Sequence, residues 1–201
     1  MKKGISLEKE KIKNVAAALF GEKGYAATSV RDIAQELNVS IATIYYYFNN
    51  KDDLLFNIID SNGNDLLAVL DTAKKEHSDP LEQLRLMLFG HICLTREKKN
   101  EVKVYVEEQV NLTKKYKNNI YKQHRRIYDT YIDQLRELKR LNLLRFESLP
   151  VIAFAMFGMV NWVYRWYRDN GEKDIEEVAR TLIDLFFHGI LVDGNRSSQN
   201  Q

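Results

Sequence analysis

The sequence predicts an all-α protein of about nine helices. Three observations carry that prediction. Apolar residues recur at three- and four-residue intervals with no strand-like alternation, only two prolines occur in 201 residues, and most glycines fall between the periodic segments. Hydrophobic residues make up 45% of the chain, enough for a packed core and too many for a disordered polypeptide.

The elements follow in order. Ile12, Val15, Ala16, Leu19 and Phe20 share one face of a first helix, which Gly21 and Gly24 close. Val30, Ile33, Ala34 and Leu37 repeat the pattern over a shorter helix. Ser29 and Asp32 have capping-box spacing at its start, with Thr28 as the alternative cap. Asn38-Val39-Ser40 makes a tight break, because Asn tolerates the left-handed conformation that ends helices and Ser caps the next one. A third short helix covers Ile41 to Tyr47. Asn49-Asn50 interrupts the chain, and a long helix opens at Lys51-Asp52-Asp53 with acids at the positive end of its dipole.

Asp79-Pro80 is a cap followed by proline at a first helical position, which starts another helix. Asn118 to Leu144 reads as a long charged amphipathic helix, and Ser148 to Asp169 as a very apolar one closed by Asn170-Gly171. Asp174 with Glu177 caps a last helix bearing Ile175, Val178, Leu182, Leu185 and Phe186. The polar tail from Gly194 onward reads as a frayed end.

Several function classes are disfavoured. The net charge of +2 is too small to name a nucleic-acid partner, so any electrostatic case rests on local placement. Cys93 is the single cysteine, which leaves no disulfide framework and no cysteine metal site. The first thirteen residues lack the apolar core of a signal peptide, and the longest apolar run, Val151 to Val160, is about half a bilayer span. A cytoplasmic protein with no membrane partner is expected. His77, His91, His124 and His188 have no metal-ligand spacing. His91 and Cys93 stand two apart on a helix and so point to different sides. No phosphate loop, serine elbow or carboxylate motif occurs, so neither catalytic residues, a metal nor a cofactor is expected.

The informative stretch is Thr28 to Phe48, two short helices across a three-residue break, the spacing of a helix-turn-helix. On a helical wheel Ile44 and Phe48 share the inward side of the third helix. Ala42, Thr43 and Tyr46 lie opposite, with Ile41, Tyr45 and Tyr47 on the flanks. Three consecutive tyrosines run right round the helix, so at least one faces solvent or a partner.

These residues resemble the tetracycline-repressor (TetR) family of bacterial regulators. The matching segments are Thr28-Ser29-Val30-Arg31-Asp32-Ile33-Ala34, then Val39 through Phe48, then Asn50-Lys51-Asp52-Asp53-Leu54, with Phe20 and Gly24-Tyr25 before them. The resemblance implies a DNA-binding domain at residues 1–52 and a ligand-binding, dimerising domain at residues 53–201. It also implies roles. Arg31 would meet a guanine edge or a phosphate. Ala42 and Thr43 would meet base edges. Ser29, Tyr45, Tyr46 and Tyr47 would bond phosphates through their hydroxyls, and Lys51 would add a cation beside helix-terminal amides. Ile41 departs from the pattern, standing where a polar base reader is common. The recognition helix also carries no Arg, Lys, Gln or Asn before Asn49, so readout leans on apolar contact, Arg31 and DNA shape. The resemblance implies double-stranded operator DNA as the partner.

The last two helices carry Ile152, Met156, Met159, Val163, Trp166, Leu182, Leu185 and Phe186, more apolar surface than one side of a small bundle needs. Burial against a second copy, as a homodimer with a four-helix interface, would account for it. The run Gly158 through Tyr167 further resembles members that respond to acyl-CoA thioesters, which implies an acyl-CoA or fatty-acid effector. A slot for it could be lined by Leu88, Phe89, Ile92, Cys93, Tyr105 and Trp162, with phosphate cations among Arg96, Lys98, Lys99, Lys103, Arg125, Arg126 and Arg165. The predicted function is a ligand-responsive repressor released from a palindromic operator. The rivals are a helical lipid carrier that binds no DNA and a DNA-organising protein without a ligand.

Overall fold

The computed structural model describes residues 2–192, and the predicted polar tail lies outside them. Ten α-helices form among the described residues: α1 (Lys2–Lys23), α2 (Val30–Glu36), α3 (Ile41–Tyr47), α4 (Lys51–Glu76), α5 (Pro80–Glu97), α6 (Lys99–Glu107), α7 (Lys114–Arg140), α8 (Leu149–Asn161), α9 (Val163–Trp166) and α10 (Ile175–Ile190). A 3₁₀ turn, Gln109–Asn111, joins α6 to α7, and no strand occurs among them. The all-α prediction therefore holds. None of these helices is long and apolar enough to cross a membrane.

The chain divides into two compact units. The first comprises the chain up to Asn64 with Lys98–Gln123, and the second Asp65–Glu97 with the chain from His124 onward. In the first unit, Ile12, Ala16 and Phe20 of α1, Ile33 of α2, Ile44 and Phe48 of α3, and Leu54, Leu55, Ile58 and Ile59 of α4 form one buried cluster. Val104, Leu112, Tyr116 and Ile120 complete it. Each large apolar side chain so buried contributes roughly 1.5–3 kcal/mol of transfer free energy.

Local signals end and start the helices as expected. Gly24 takes φ 86°, which spares a side chain the left-handed penalty after α1. Ser29 is the cap of α2: its Oγ accepts from the Asp32 amide at 3.1 Å, and the Asp32 carboxylate accepts from the Ser29 amide at 2.7 Å. Thr28, the alternative, is buried, and its hydroxyl donates to the Gly24 and Leu19 carbonyls. Asn38 adopts φ 54°, and Ser40 Oγ accepts from the Thr43 amide at 3.1 Å. Asp79 and Asp174 accept from the Glu82 and Glu177 amides.

The second unit is built on a core of Leu66, Leu70, Leu84, Met87, Leu88, Ile92, Tyr131, Leu135, Ala153, Met156, Val163, Ile183 and neighbours. The segment after α7 pairs once with the end of α10, where Arg145 donates to the Ile190 carbonyl and Val192 to that of Leu143.

Three expectations need correction. The charged helix runs from Lys114 to Arg140, because Thr113 begins it and Asn142 at φ 57° ends it. The apolar helix does not continue to Asp169. It pauses at Trp162, and Tyr167 leaves α9 in extended backbone with its ring in the core. Finally, Ile152, Met156, Val163 and Phe186 are buried within their own chain. The large apolar residues left exposed on α8, α9 and α10 are Val151, Phe154, Trp166 and Leu185, with Trp162 at the α8–α9 junction.

Candidate nucleic-acid interface

The recognition surface starts from the sidedness of α3. Ile44 and Phe48 are each 1% exposed and clamp the helix onto the first unit's core. The remaining wheel positions are then forced outward. Ala42, Tyr45 and Tyr46 are exposed, with Tyr46 at 73%, while Ile41 stands at the margin of exposure. Thr43 and Tyr47 are half-buried. The Tyr46 and Tyr47 rings meet edge to face at 4.9 Å, which restrains both hydroxyls. Thr43 Oγ1 lies 2.9 Å from Ser40 Oγ, so the capping serine also orients the threonine.

The start of α2, the start of α3 and the start of α4 converge on one open hollow of about 460 Å³. Its lining includes Ser29, Arg31, Ile41, Tyr45 and Lys51. Five of the nine residues read from the sequence as DNA-facing are thus drawn into one concave surface, and Ala42, Thr43, Tyr46 and Tyr47 lie on the same recognition helix. Arg31 is exposed, and Lys51 is half-buried with its ammonium 4.1 Å from the centre of the Tyr25 ring. Burial lowers the Lys51 pKa, while the nearby Glu108 and Asp32 carboxylates oppose that shift. Two hydrogen bonds from Ser29 hold the Asp32 carboxyl below the usual range.

Two supports of this surface were not legible. Asp53 is an anchor: it accepts from the Asn49 amide and side chain at 2.9 and 2.8 Å and from the Tyr116 hydroxyl at 3.1 Å. These bonds outweigh its burial and lower its pKa. Helix α6 is tied to α1 and its exit. Lys103 donates to the Gly21 carbonyl, and Glu108 accepts from the Tyr25 amide at 3.2 Å. Both contacts join residues more than eighty positions apart, so no local pattern announces them.

The effector residues read from the sequence are distributed differently. Phe89 and Cys93 are half-buried against the second unit's core, in which Leu88 and Ile92 are fully packed. The Arg180 guanidinium lies 5.8 Å from the Phe89 ring. Burial, with Glu176 and Glu97 nearby, pushes the Cys93 thiol up to about 11. Trp162 is 56% exposed, and Arg165 stands 5.2 Å over its ring. Tyr105 belongs to the first unit, where it packs against that core and burial raises its hydroxyl pKa. His91 has Nδ1 3.0 Å from the Tyr131 hydroxyl.

A three-helix reading head with a capped turn, an exposed second helix face and flanking cations defines a helix-turn-helix regulator. The chain belongs to the TetR family. Residues 12–58 match the model of bacterial regulatory proteins of the tetR family, and residues 77–190 match the tetracyclin repressor-like C-terminal domain. It is accordingly a DNA-binding transcriptional regulator of the ligand-responsive repressor class.

Among solved structures it is similar to the TetR family regulator PfmR of Thermus thermophilus. That protein is 31% identical, with a TM-score of 0.82 over 88% of this chain and 97% of that one. AibR, solved with isovaleryl coenzyme A and operator DNA, is 27% identical, with a TM-score of 0.81 over 89% and 97% of the two chains. The fatty acid metabolism regulator protein of Bacillus subtilis is 28% identical over 186 residues, 88% of this chain and 92% of that protein.

Proposed function

We propose that the chain acts as a homodimeric repressor that leaves a palindromic operator when an acyl-CoA thioester or fatty acid binds its larger domain. The observation that carries the reading is the hollow in which Ser29, Arg31, Ile41, Tyr45 and Lys51 stand beside the exposed face of α3. In this reading residues 1–52 meet the duplex and residues 53–201 bind effector and pair with a second copy. Arg31 reads a guanine edge or holds a phosphate. Ala42 and Thr43 meet bases, Ile41 adds apolar contact, and the Ser29, Tyr45, Tyr46 and Tyr47 hydroxyls with Lys51 grip the backbone.

Dimerisation is supported by the exposed Val151, Phe154, Trp162, Trp166 and Leu185, apolar surface that a second copy would remove from water. The effector class is supported by the resemblance to AibR and to the fatty acid regulator. Phe89, Cys93, Trp162 and Arg165, all of the second unit, are proposed to contact it. Ligand and DNA then oppose each other by linkage: whatever factor the ligand takes from DNA affinity, DNA takes from ligand affinity.

The test is binding of the protein to its own promoter duplex, by fluorescence anisotropy, across salt and with or without long-chain acyl-CoA. Tight, salt-dependent binding released by acyl-CoA is the expected result. Binding that acyl-CoA leaves unchanged refutes the effector assignment. Absence of salt-dependent duplex binding refutes the whole reading and favours a lipid carrier.

A further inference from the structure

The recognition helix itself carries no cation, yet affinity for duplex DNA comes largely from neutralised phosphates. Sufficient positive charge must therefore stand beside the helix. From Gln109 to Tyr128 the chain has four lysines and two arginines and no acid, a strong local excess in a protein of net charge +2. The part of this run in the first unit, residues 109–123, holds all four lysines and includes the opening turns of α7. There Tyr116 and Ile120 face the core, while Lys114, Lys115, Lys117 and Lys122 are exposed.

Those turns are fastened to the reading head at two points. The Thr113 hydroxyl donates to Asp52 at 2.7 Å, and its amide donates to the same carboxylate at 3.2 Å, beside Lys51. Tyr116 stacks on Phe56 at 4.4 Å and donates to Asp53, the residue that also holds Asn49 at the exit of α3. One cation stands at this exit and another beside Tyr116. Lys9 of α1 stands 5.3 Å from the ring centre of Phe48, the C-cap of α3, and Lys115 stands 4.9 Å from the ring of Tyr116.

We propose that the lysine face opening α7, Lys114, Lys115 and Lys117, together with Lys9, is a second DNA-backbone contact beside the recognition helix. The partner is the phosphate backbone of the duplex that α3 enters, and the inference rests on the reading of the Ser29–Lys51 surface as duplex-facing. Phosphate contacts position a protein without carrying sequence information, so this face strengthens binding to any duplex alike. It also supplies charge that the tyrosine-rich recognition helix lacks.

The experiment is a salt titration of anisotropy binding for the full-length protein, on its own promoter duplex and on an unrelated duplex. It compares wild type, Lys115→Gln and Lys114→Gln/Lys115→Gln/Lys117→Gln. Each lysine on a phosphate contributes about 0.9 to the log–log salt slope, and a dimer presents it twice. Lys115→Gln is expected to lower the slope by about 2 and the triple variant by about 5. The loss should be of equal proportion on both duplexes, with circular dichroism unchanged.

A wild-type slope retained in both variants overturns the inference while leaving the reading head intact. So does unchanged DNA binding with lost response to long-chain acyl-CoA, which would assign these cations to the effector. A loss confined to the promoter duplex also overturns it. Wild-type protein that shows no salt-dependent binding refutes the duplex-facing reading and this inference together.

Discussion

Gly63 on α4 lies directly against Gln123 of α7, and its replacement by alanine gives a sharp test of how the first unit is held. A Cβ on Gly63 would lie 1.9 Å from Gln123 Oε1 and 2.3 Å from its Cδ. Gln123 is buried, and its Nε2 donates to the Asp60 carbonyl at 2.9 Å and to Asn64 Oδ1 at 3.0 Å. Alanine in a helix interior gains about 1 kcal/mol over glycine. Against this, displacing the carboxamide breaks two hydrogen bonds worth about 1 kcal/mol each and leaves a buried polar group unpaired at about 1–3 kcal/mol.

The cost wins, and Gly63→Ala should lower stability by roughly 2–4 kcal/mol. In a Gln123→Ala background the collision is gone, and the same substitution should raise stability by about 0.5–1 kcal/mol. The sign reversal is the signature. Urea unfolding of the four proteins at one protein concentration, followed by circular dichroism, measures it. Additivity of the two substitutions within about 0.5 kcal/mol would refute the close approach.

Four other outcomes follow from the structure. Ile44→Ala should cost about 2–5 kcal/mol of stability, because it empties a packed site. Tyr46→Ala should change stability by less than about 0.5 kcal/mol yet weaken promoter binding; equal thermal shifts for the two would refute the assigned faces of α3. Burial holds the His91 pKa down to about 4 against an ordinary 6.5, opposed by a hydrogen bond with Asn161. Below pH 6.5 the unfolded chain binds a proton that the folded chain refuses, so stability falls as pH drops from 6.5 to about 4, by up to about 3 kcal/mol. His91→Gln should flatten that part of the stability–pH curve, and an unchanged curve would show that His91 does not contribute. The Cys93 thiol at about 11 should carry about one-hundredth of an ordinary thiolate population, so alkylation at pH 8 should be roughly 100-fold slower in the native protein than in urea. Equal rates would place Cys93 in water.

The helices and the reading head are legible in the chain's local pattern, because the signals concerned act over three or four residues. Ser29, Ser40, Asp79 and Asp174 each cap a helix by bonding an amide three positions on, and Asn38 ends one through its own backbone angle. The inward pair Ile44 and Phe48 follows from helical periodicity alone, and so does the outward set around Tyr46. A wheel tells which side of a helix is apolar, but not which neighbour covers it. That is why Ile152, Met156, Val163 and Phe186 could be read as an interface although they fill their own chain's core.

That residues 98–123 join the N-terminal 64 in one unit is visible only in the folded chain. So is the fastening of α7 to Asp52 and Asp53 by Thr113 and Tyr116. Those partners stand more than sixty residues apart. Side chains at such separation meet only when the whole chain has packed, and no local spacing encodes the meeting.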